Sequence, residues 1–140
     1  MLLIITDREG WASHLSPLLL QNGIYHLCVP LSFGTFTCER EDTGAVILDA
    51  VPSLSRGEHI CADLKRRYPD MPVAMVAAPE ARVNAHTDAV LRDGNINTLC
   101  ENIISLCRAN GWSASPLSTY YLRMGAQNRV DYMGLSFTLS

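Results

Sequence analysis

Two short aliphatic runs that each lead into an aspartate constrain the fold most. Residues 2–6 lead into Asp7, and residues 45–48 lead into Asp49. An unbroken apolar run of this length predicts a strand buried on both faces, as in a parallel sheet covered by helices. Parallel strands end along one edge, where open α/β sheets place their functional groups. If the two runs are neighbouring strands, Asp7 and Asp49 lie within reach of one divalent cation or one phosphoryl group.

Composition narrows the class of protein. A chain of 140 residues predicts one domain with a short appendage, and the formal charge of −3 argues against broad nucleic-acid binding by these residues. The apolar run at the start is too short to span a bilayer and does not look like a signal peptide, so we expect a cytoplasmic protein without membrane contact. The cysteines and histidines lack zinc-site or disulfide-framework spacing and are interpreted as structural; the cysteines are Cys28, Cys38, Cys61, Cys100 and Cys107.

Apolar periodicity predicts alternating strands and helices. The predicted strands are residues 2–6, 24–29, 45–49, 73–77 and 89–91. The predicted helices are residues 9–22, with a kink or late start at Pro17, 57–68, about two turns over 79–86, and 95–110. Residues 31–43 suggest a short or poorly formed helix. Right-handed crossovers then give an α/β fold, a doubly wound five-stranded parallel sheet of order 2-1-3-4-5.

The pattern changes after residue 111. Residues 112–118 are rich in serine and read as a linker, and residues 119–140 show the alternation of period two that is typical of a small antiparallel β meander. The predicted organisation is therefore a domain over residues 1–111, a linker, and a β tail over residues 119–140.

The first domain resembles a response-regulator receiver domain, with the flavodoxin/CheY-like fold that this implies. The segment Ile5-Thr6-Asp7-Arg8 lies where receivers carry an acidic pair, and Ile47-Leu48-Asp49 lies where they carry the phosphoacceptor. Gly57 stands at the glycine position eight residues on, whereas Pro52 is displaced by one. The resemblance implies a phosphoacceptor role for Asp49, a Mg²⁺ site at Asp7 and Asp49, and a histidine kinase as partner.

Departures from the receiver pattern fall on the residues that such a domain uses for phosphorylation. Ala77 stands where the family has a Ser or Thr, Asp93 where it has a lysine, and Gly94 where it has a proline; the first acid of the pair is Thr6. The segment between Ala77 and Asp93 is also short, so the family's fourth helix is expected to be shortened or lost. A phosphoaspartate carries nearly two negative charges, and Asp93 adds a like charge. We therefore expect a degenerate receiver whose phosphorelay is weak or lost.

Residues 122–139 resemble the opening strands of an OmpR/PhoB-type winged-helix DNA-binding domain, which implies a transcription regulator whose chain is cut after those strands. In the receiver family, homodimers form through the fourth helix, fifth strand and fifth helix; here residues 88–91 and 95–110 would supply most of that face. The leading hypothesis is a non-enzymatic regulatory module that dimerises or binds partners without phosphate. DNA would be bound through a domain missing from this chain.

Other interpretations remain open. Asp49 accepts phosphate in the second hypothesis, with Mg²⁺ at Asp7. A small flavodoxin-like enzyme or nucleotide binder is the third, although no Gly-rich phosphate loop is present. Asp49 also fits a structural carboxylate that holds the following loop. Asp7 fits a helix N-cap, and Asp93 fits a turn residue before Gly94. Together the three carboxylates would suit Mg²⁺ or Ca²⁺.

Overall fold

Five parallel strands form the centre of the protein. In the computed structural model, which describes residues 1–33, 43–112, 129–132 and 135–138, they have the order β2-β1-β3-β4-β5. Their bounds are Leu2–Ile5 for β1, His26–Val29 for β2, Ala45–Asp49 for β3, Val73–Ala77 for β4 and Ala89–Arg92 for β5. The predicted fold class and strand order are therefore confirmed. They place β1 beside β3, with Ile5 level with Leu48.

Within the described residues, three helices cover the two faces of this sheet, namely α1 Glu9–Gln21, α2 Leu54–Arg67 and α3 Ile96–Asn110. Successive strand residues point to opposite faces. Leu3 and Ile5 therefore join the core cluster that α2 covers, whereas Leu2 and Ile4 join the cluster that α1 and α3 cover. All four residues of β1 are buried, as the unbroken apolar run predicts.

Helix α2 begins earlier than predicted, whereas α1 begins at the predicted residue. Helix α2 begins at Leu54, three residues before the predicted Gly57, because the Ser53 hydroxyl accepts a hydrogen bond from the Arg56 N–H (3.3 Å) and caps the helix. Helix α1 begins at Glu9 and continues through Pro17, so the late start is wrong. A 3₁₀ turn at Leu31–Phe33 lies within residues 31–43, for which a short or poorly formed helix was predicted; residues 34–42 lie outside the described residues.

The helix predicted from Pro79 is absent, and this prediction is wrong. Residues 78–88, which we call the β4–β5 segment, are irregular, and side chains satisfy their backbone groups. Arg92 Nη1 donates to the carbonyl oxygens of Ala78 (3.1 Å) and Ala81 (2.6 Å), and the Asn84 N–H donates to the Glu58 carboxylate (2.7 Å). The expectation that the fourth helix is shortened or lost is thus met by its loss.

Asp88 fastens the far end of the β4–β5 segment. Its Oδ2 accepts hydrogen bonds from the Val73 N–H (2.8 Å) and from Lys65 Nζ (3.0 Å). Burial acts to raise the pKa of Asp88, but these two donors outweigh it and hold the pKa below its usual range. Val83 and Ala85 of the same segment pack against the core cluster on the α2 face. The segment is therefore fixed at both ends and along its length.

The described cysteines are core residues, as the sequence suggests. Cys61, Cys100 and Cys107 are buried, and Cys28 is partly buried. Burial raises the pKa of all four thiols, that of Cys28 to about 12 and that of Cys107 to about 11. Burial therefore disfavours the thiolate, which is the reactive form of cysteine. Cys38 lies outside the described residues.

Part of the C-terminal β tail is described. Strands β6 Arg129–Tyr132 and β7 Leu135–Thr138 form an antiparallel pair, in agreement with the predicted alternation. The strand predicted over residues 119–124 lies outside the described residues, and the boundaries of the predicted domains stay predictions. Among the described helices, none is long and apolar enough to cross a membrane.

Gly57 allows α2 to approach the end of β3. A Cβ atom built on Gly57 would lie within van der Waals overlap of Ala50, 2.4 Å from its Cβ and 3.1 Å from its Cα. Ala50 follows Asp49 directly, so this close approach also sets the position of α2 relative to the functional edge of the sheet. The glycine is thus required by packing rather than by a left-handed backbone.

We expect Gly57→Ala to lower the free energy of unfolding by about 1–3 kcal/mol, because the added methyl group forces α2 away from Ala50. The matched control is Gly10→Ala in the first turn of α1, where no heavy atom lies within 4 Å of the new Cβ. This control should stabilise the protein by as much as about 1 kcal/mol through helix propensity. Urea unfolding followed by circular dichroism measures both; equal effects of the two substitutions would contradict the packing argument.

Candidate functional site

The carboxyl ends of β1 and β3 bring Thr6 and Asp49 together. Because Ile5 is level with Leu48 in the sheet, the next residue of each chain segment is also level. The Thr6 hydroxyl donates to Asp49 Oδ2 at 2.7 Å, and the Val51 N–H donates to Oδ1 at 3.2 Å. The Asp49 side chain is fully buried, with 0% of its surface exposed. A charge at this depth requires strong partners.

Arg8 is the main partner of Asp49. Its Nε donates to Oδ2 at 2.7 Å and its Nη2 donates to Oδ1 at 2.8 Å. This is the parallel two-bond geometry that makes guanidinium–carboxylate pairs strong. Both carboxylate oxygens of the residue predicted as phosphoacceptor are therefore occupied by a cation that the chain itself provides.

The backbone at the start of α1 and an aromatic ring hold Arg8 in this position. Arg8 is the N-cap residue of α1 with an extended backbone, and its N–H donates to the Thr6 hydroxyl (3.0 Å). Its guanidinium carbon lies 4.8 Å from the centre of the Trp11 ring, in a cation–π contact. Burial acts to lower the pKa of Arg8, but Asp49 and Asp93 outweigh it and raise the pKa. The arginine is thus permanently charged.

Asp93 lies on the other side of the same guanidinium. It follows β5 directly, its N–H donates to the Ala77 carbonyl oxygen (2.8 Å), and its Oδ2 lies 3.4 Å from Arg8 Nη1. Asp93 was predicted to lie near Asp49 as a like charge; in the structure Arg8 lies between the two carboxylates. One guanidinium and two carboxylates leave a formal surplus of one negative charge in this cluster.

Asp7 has other partners. Its Oδ1 accepts the Leu31 N–H at 2.9 Å, and its Oδ2 lies 3.7 Å from Arg56 Nη1 on α2. It is not the N-cap of α1, since Arg8 has that position, so the helix-cap interpretation is wrong. Asp7 and Asp49 were predicted to bind one cation, but they share no partner among the described contacts.

The arrangement does not fit a Mg²⁺ ion. Magnesium takes oxygen ligands in a near-octahedral shell, but Arg8 already binds both oxygens of Asp49. Within the part of the chain that the structure describes, no three His, Cys, Asp or Glu side chains are grouped as a metal site requires. A divalent cation at Asp49 would first have to displace the guanidinium.

The remaining predicted positions frame the site without polar contact to Asp49. Ala77 is the last residue of β4 and is buried, and it offers only a methyl group. Gly94 follows Asp93, and a Cβ built on it meets no atom within 4 Å. Its φ is outside the left-handed region, so no turn here requires glycine. Asn95 then caps α3 through its side-chain oxygen.

Comparison with known proteins supports the fold but does not identify a function. Neither protein-family models nor curated proteins match this sequence. Among solved structures, the response regulator TrrA from Thermotoga maritima in complex with Mg²⁺-BeF matches with a TM-score of 0.54 and 17% identity, over 75% of this chain and 96% of that one.

Two further structures match in the same way. A second response regulator from Thermotoga maritima matches with a TM-score of 0.56 and 16% identity, over 75% of this chain and 95% of that one. The response regulator Rcp1 in its Mn²⁺-bound form matches with a TM-score of 0.57 and 14% identity, over 76% of this chain and 90% of that one. Identities this low show a shared fold alone. The described α/β domain therefore has the fold of response-regulator receiver domains.

Removing the Arg8 side chain should be costly. Arg8→Ala leaves a buried Asp49 carboxylate without its cation, and we expect a loss of about 3 kcal/mol in the free energy of unfolding. Arg56→Ala, which breaks only the exposed pair with Asp7, is the matched control and should cost less than about 1 kcal/mol. Thermal and urea unfolding of both variants measure this difference.

A double variant separates charge from packing. Arg8→Ala combined with Asp49→Asn has no uncompensated buried charge, so it should be more stable than Arg8→Ala alone. If the double variant is less stable than the single one by the full cost of Asp49→Asn, the two side chains do not interact and the salt bridge has no structural role.

Proposed function

We propose that this protein is a degenerate receiver-like module of signal transduction that acts through protein–protein contact without phosphorylation and has no enzymatic activity of its own. The bidentate salt bridge between Arg8 and Asp49 is the observation that carries this proposal. It gives the buried carboxylate a permanent counterion, so the domain needs neither a metal ion nor a phosphoryl group to neutralise this edge of the sheet.

Three features act against phosphorylation of Asp49 or against a structural response to it. An acyl phosphate forms only if a carboxylate oxygen leaves its present donors, yet both oxygens are hydrogen-bonded in a fully buried side chain. Ala77 has no hydroxyl to bond a phosphoryl group at the end of β4. The β4–β5 segment is also tied down by Arg92 and Asp88, which leaves little freedom for a conformational response.

A second function is favoured by one observation, the 3.4 Å distance between Arg8 Nη1 and Asp93 Oδ2. Asp93 offers Arg8 an alternative acceptor, so the guanidinium can move toward Asp93 and release Asp49. Asp49 would then accept phosphate from a histidine kinase, with Mg²⁺ bound at Asp7 and Asp49. Two of the structural neighbours were solved with Mg²⁺-BeF or Mn²⁺ bound, which supports this candidate.

Incubation with Mg²⁺ and acetyl phosphate distinguishes the two functions. We expect no acid-labile phosphoryl group on the wild-type protein by intact mass, because Arg8 competes for the carboxylate. Wild-type incorporation that disappears in Asp49→Asn would overturn the main proposal in favour of the second. Arg8→Ala is the informative variant: incorporation in this variant alone identifies the arginine as the barrier.

Trp11 offers a direct readout of Mg²⁺ at the same site. The chain has two tryptophans, so Trp112→Phe leaves Trp11 as the only tryptophan, with the Arg8 guanidinium against its ring. Displacement of Arg8 by Mg²⁺ would change the emission of Trp11. We expect no change in this emission during a titration with millimolar MgCl₂. A saturable change in the Trp112→Phe protein that is lost on adding Asp49→Asn would instead support the second function.

We also propose an assignment for the β tail. The antiparallel β6–β7 pair is compatible with the opening strands of an OmpR/PhoB-type winged-helix unit, through which a transcription regulator would bind DNA. The coding sequence that follows Ser140 tests this assignment. A helix–helix–wing pattern there supports it, and any other sequence class, or a stop codon, overturns it.

A further inference from the structure

Ser16 of α1 and His26 of β2 form a hydrogen-bonded pair that has no part in the site around Asp49. Ser16 Oγ and His26 Nε2 are 2.6 Å apart, and both residues are partly buried. His26 is level with Leu2 at the start of β1, whereas Asp49 is the last residue of β3. The Ser16–His26 pair therefore lies toward the amino ends of the strands, and the salt bridge at Asp49 lies at their carboxyl ends.

A second contact of His26 fixes which ring nitrogen carries the proton. Nδ1 lies 3.0 Å from the carbonyl oxygen of Ile24, which can only accept a hydrogen bond. In the neutral ring Nδ1 is therefore the protonated nitrogen, and Nε2 is the acceptor. The Ser16 hydroxyl accordingly donates to Nε2, so its proton already points at a nitrogen base.

The ring is uncharged at neutral pH and so is able to take up a proton. Burial lowers the pKa of the His26 imidazole below its usual value, against the opposing effect of the Ile24 carbonyl. The lowered pKa keeps Nε2 unprotonated, and the hydrogen bond from Ser16 is consistent with that state.

The three groups match the arrangement that activates a serine. A hydroxyl is a weak nucleophile unless a base takes its proton during the attack, and a third group must hold that base in the right tautomer. Here Ser16 has the position of the nucleophile, His26 that of the base, and the Ile24 carbonyl that of the orienting group. General-base assistance of this kind accelerates a reaction by roughly 10²–10⁴-fold.

The helix around Ser16 does not provide what repeated hydrolysis needs. Hydrolysis of an acyl-serine depends on N–H groups aimed at the developing oxyanion. Inside an α-helix each backbone N–H binds a carbonyl oxygen of the preceding turn. Ser16 lies inside α1, and the next residue, Pro17, has no N–H at all. The pair is therefore suited to one transfer from a reactive donor and not to turnover.

We propose that Ser16 is an acylation site, at which Ser16 Oγ attacks the carbonyl carbon of an activated carboxylic ester while His26 Nε2 takes the hydroxyl proton. A bond forms between Oγ and the carbonyl carbon, and the bond from that carbon to the leaving group breaks. The leaving group departs with the electron pair, and the proton on Nε2 passes to the solvent. The inference goes beyond the proposed function and is independent of it, because a single transfer is not an enzymatic activity.

Labelling with p-nitrophenyl acetate tests the site in the full wild-type chain. We expect peptide mass mapping to find an acetyl ester on Ser16. Ser13 is the internal control, because it is exposed on the same helix and its hydroxyl donates to the Gly10 carbonyl oxygen (3.0 Å) instead of a base. Mapping also separates serine esters from acetyl groups on thiols and amines. Labelling of Ser16 that is no faster than labelling of Ser13 overturns the proposal, and this comparison needs no variant.

Substitution of the base separates chemistry from exposure. In His26→Gln an amide oxygen can still accept from Ser16, but it is not a base, so acetylation of Ser16 should slow by roughly 10²-fold or more. His14→Gln is the matched control, since His14 is exposed on α1 and contacts the Gly10 carbonyl oxygen. It should leave the rate unchanged, and circular dichroism should show both variants folded.

Two results would contradict the roles assigned to the pair. A folded His26→Gln protein that is acetylated at Ser16 at the wild-type rate shows that His26 does not act as the base. Continued release of p-nitrophenolate after Ser16 is fully acetylated, lost in Ser16→Ala, shows that the ester is hydrolysed and that Ser16 is more than an acceptor.

Discussion

The structure depends on one ion pair placed where two buried strands end. Asp49 is fully buried, and such a carboxylate is tolerated only with a cation and hydrogen-bond donors around it. Arg8 supplies two charge-assisted hydrogen bonds, Thr6 supplies a hydroxyl, and the following loop supplies the Val51 N–H. These contacts join the start of α1 to the end of β3. The side chains at this edge of the sheet thereby bind one another.

The fold was predictable because its determinants are local and repeated. Unbroken apolar runs such as 45–48 fix buried strands, and right-handed crossovers leave few topologies. The helix predicted from Pro79 failed for a different reason. Nothing in the sequence of residues 78–88 shows that Arg92, a residue beyond them, binds two of their carbonyl oxygens. Backbone groups satisfied by distant side chains do not produce a periodic pattern.

At the site, the sequence indicated the right edge and the right carboxylate but not the right partner. Asp49 was expected to hold the following loop in one interpretation, and the Val51 N–H does bind it. Asp93 was expected nearby, and it is. Arg8 was overlooked, although a cation directly after Asp7 at the end of β1 was the available clue. Side-chain direction decides the pairing: the Arg8 side chain turns toward Asp49, while Asp7 turns to Leu31 and Arg56.

The position of the cation also bears on how this domain can change over evolutionary time. A lysine introduced at position 93 would put a second cation beside Arg8, with only Asp49 left to neutralise both. A single step toward the receiver pattern at that position is therefore penalised as long as Arg8 is present. Loss of Arg8 alone leaves the buried Asp49 carboxylate without a cation. Replacing either Arg8 or Asp93 alone thus unbalances the charges around Asp49, so the two positions are coupled.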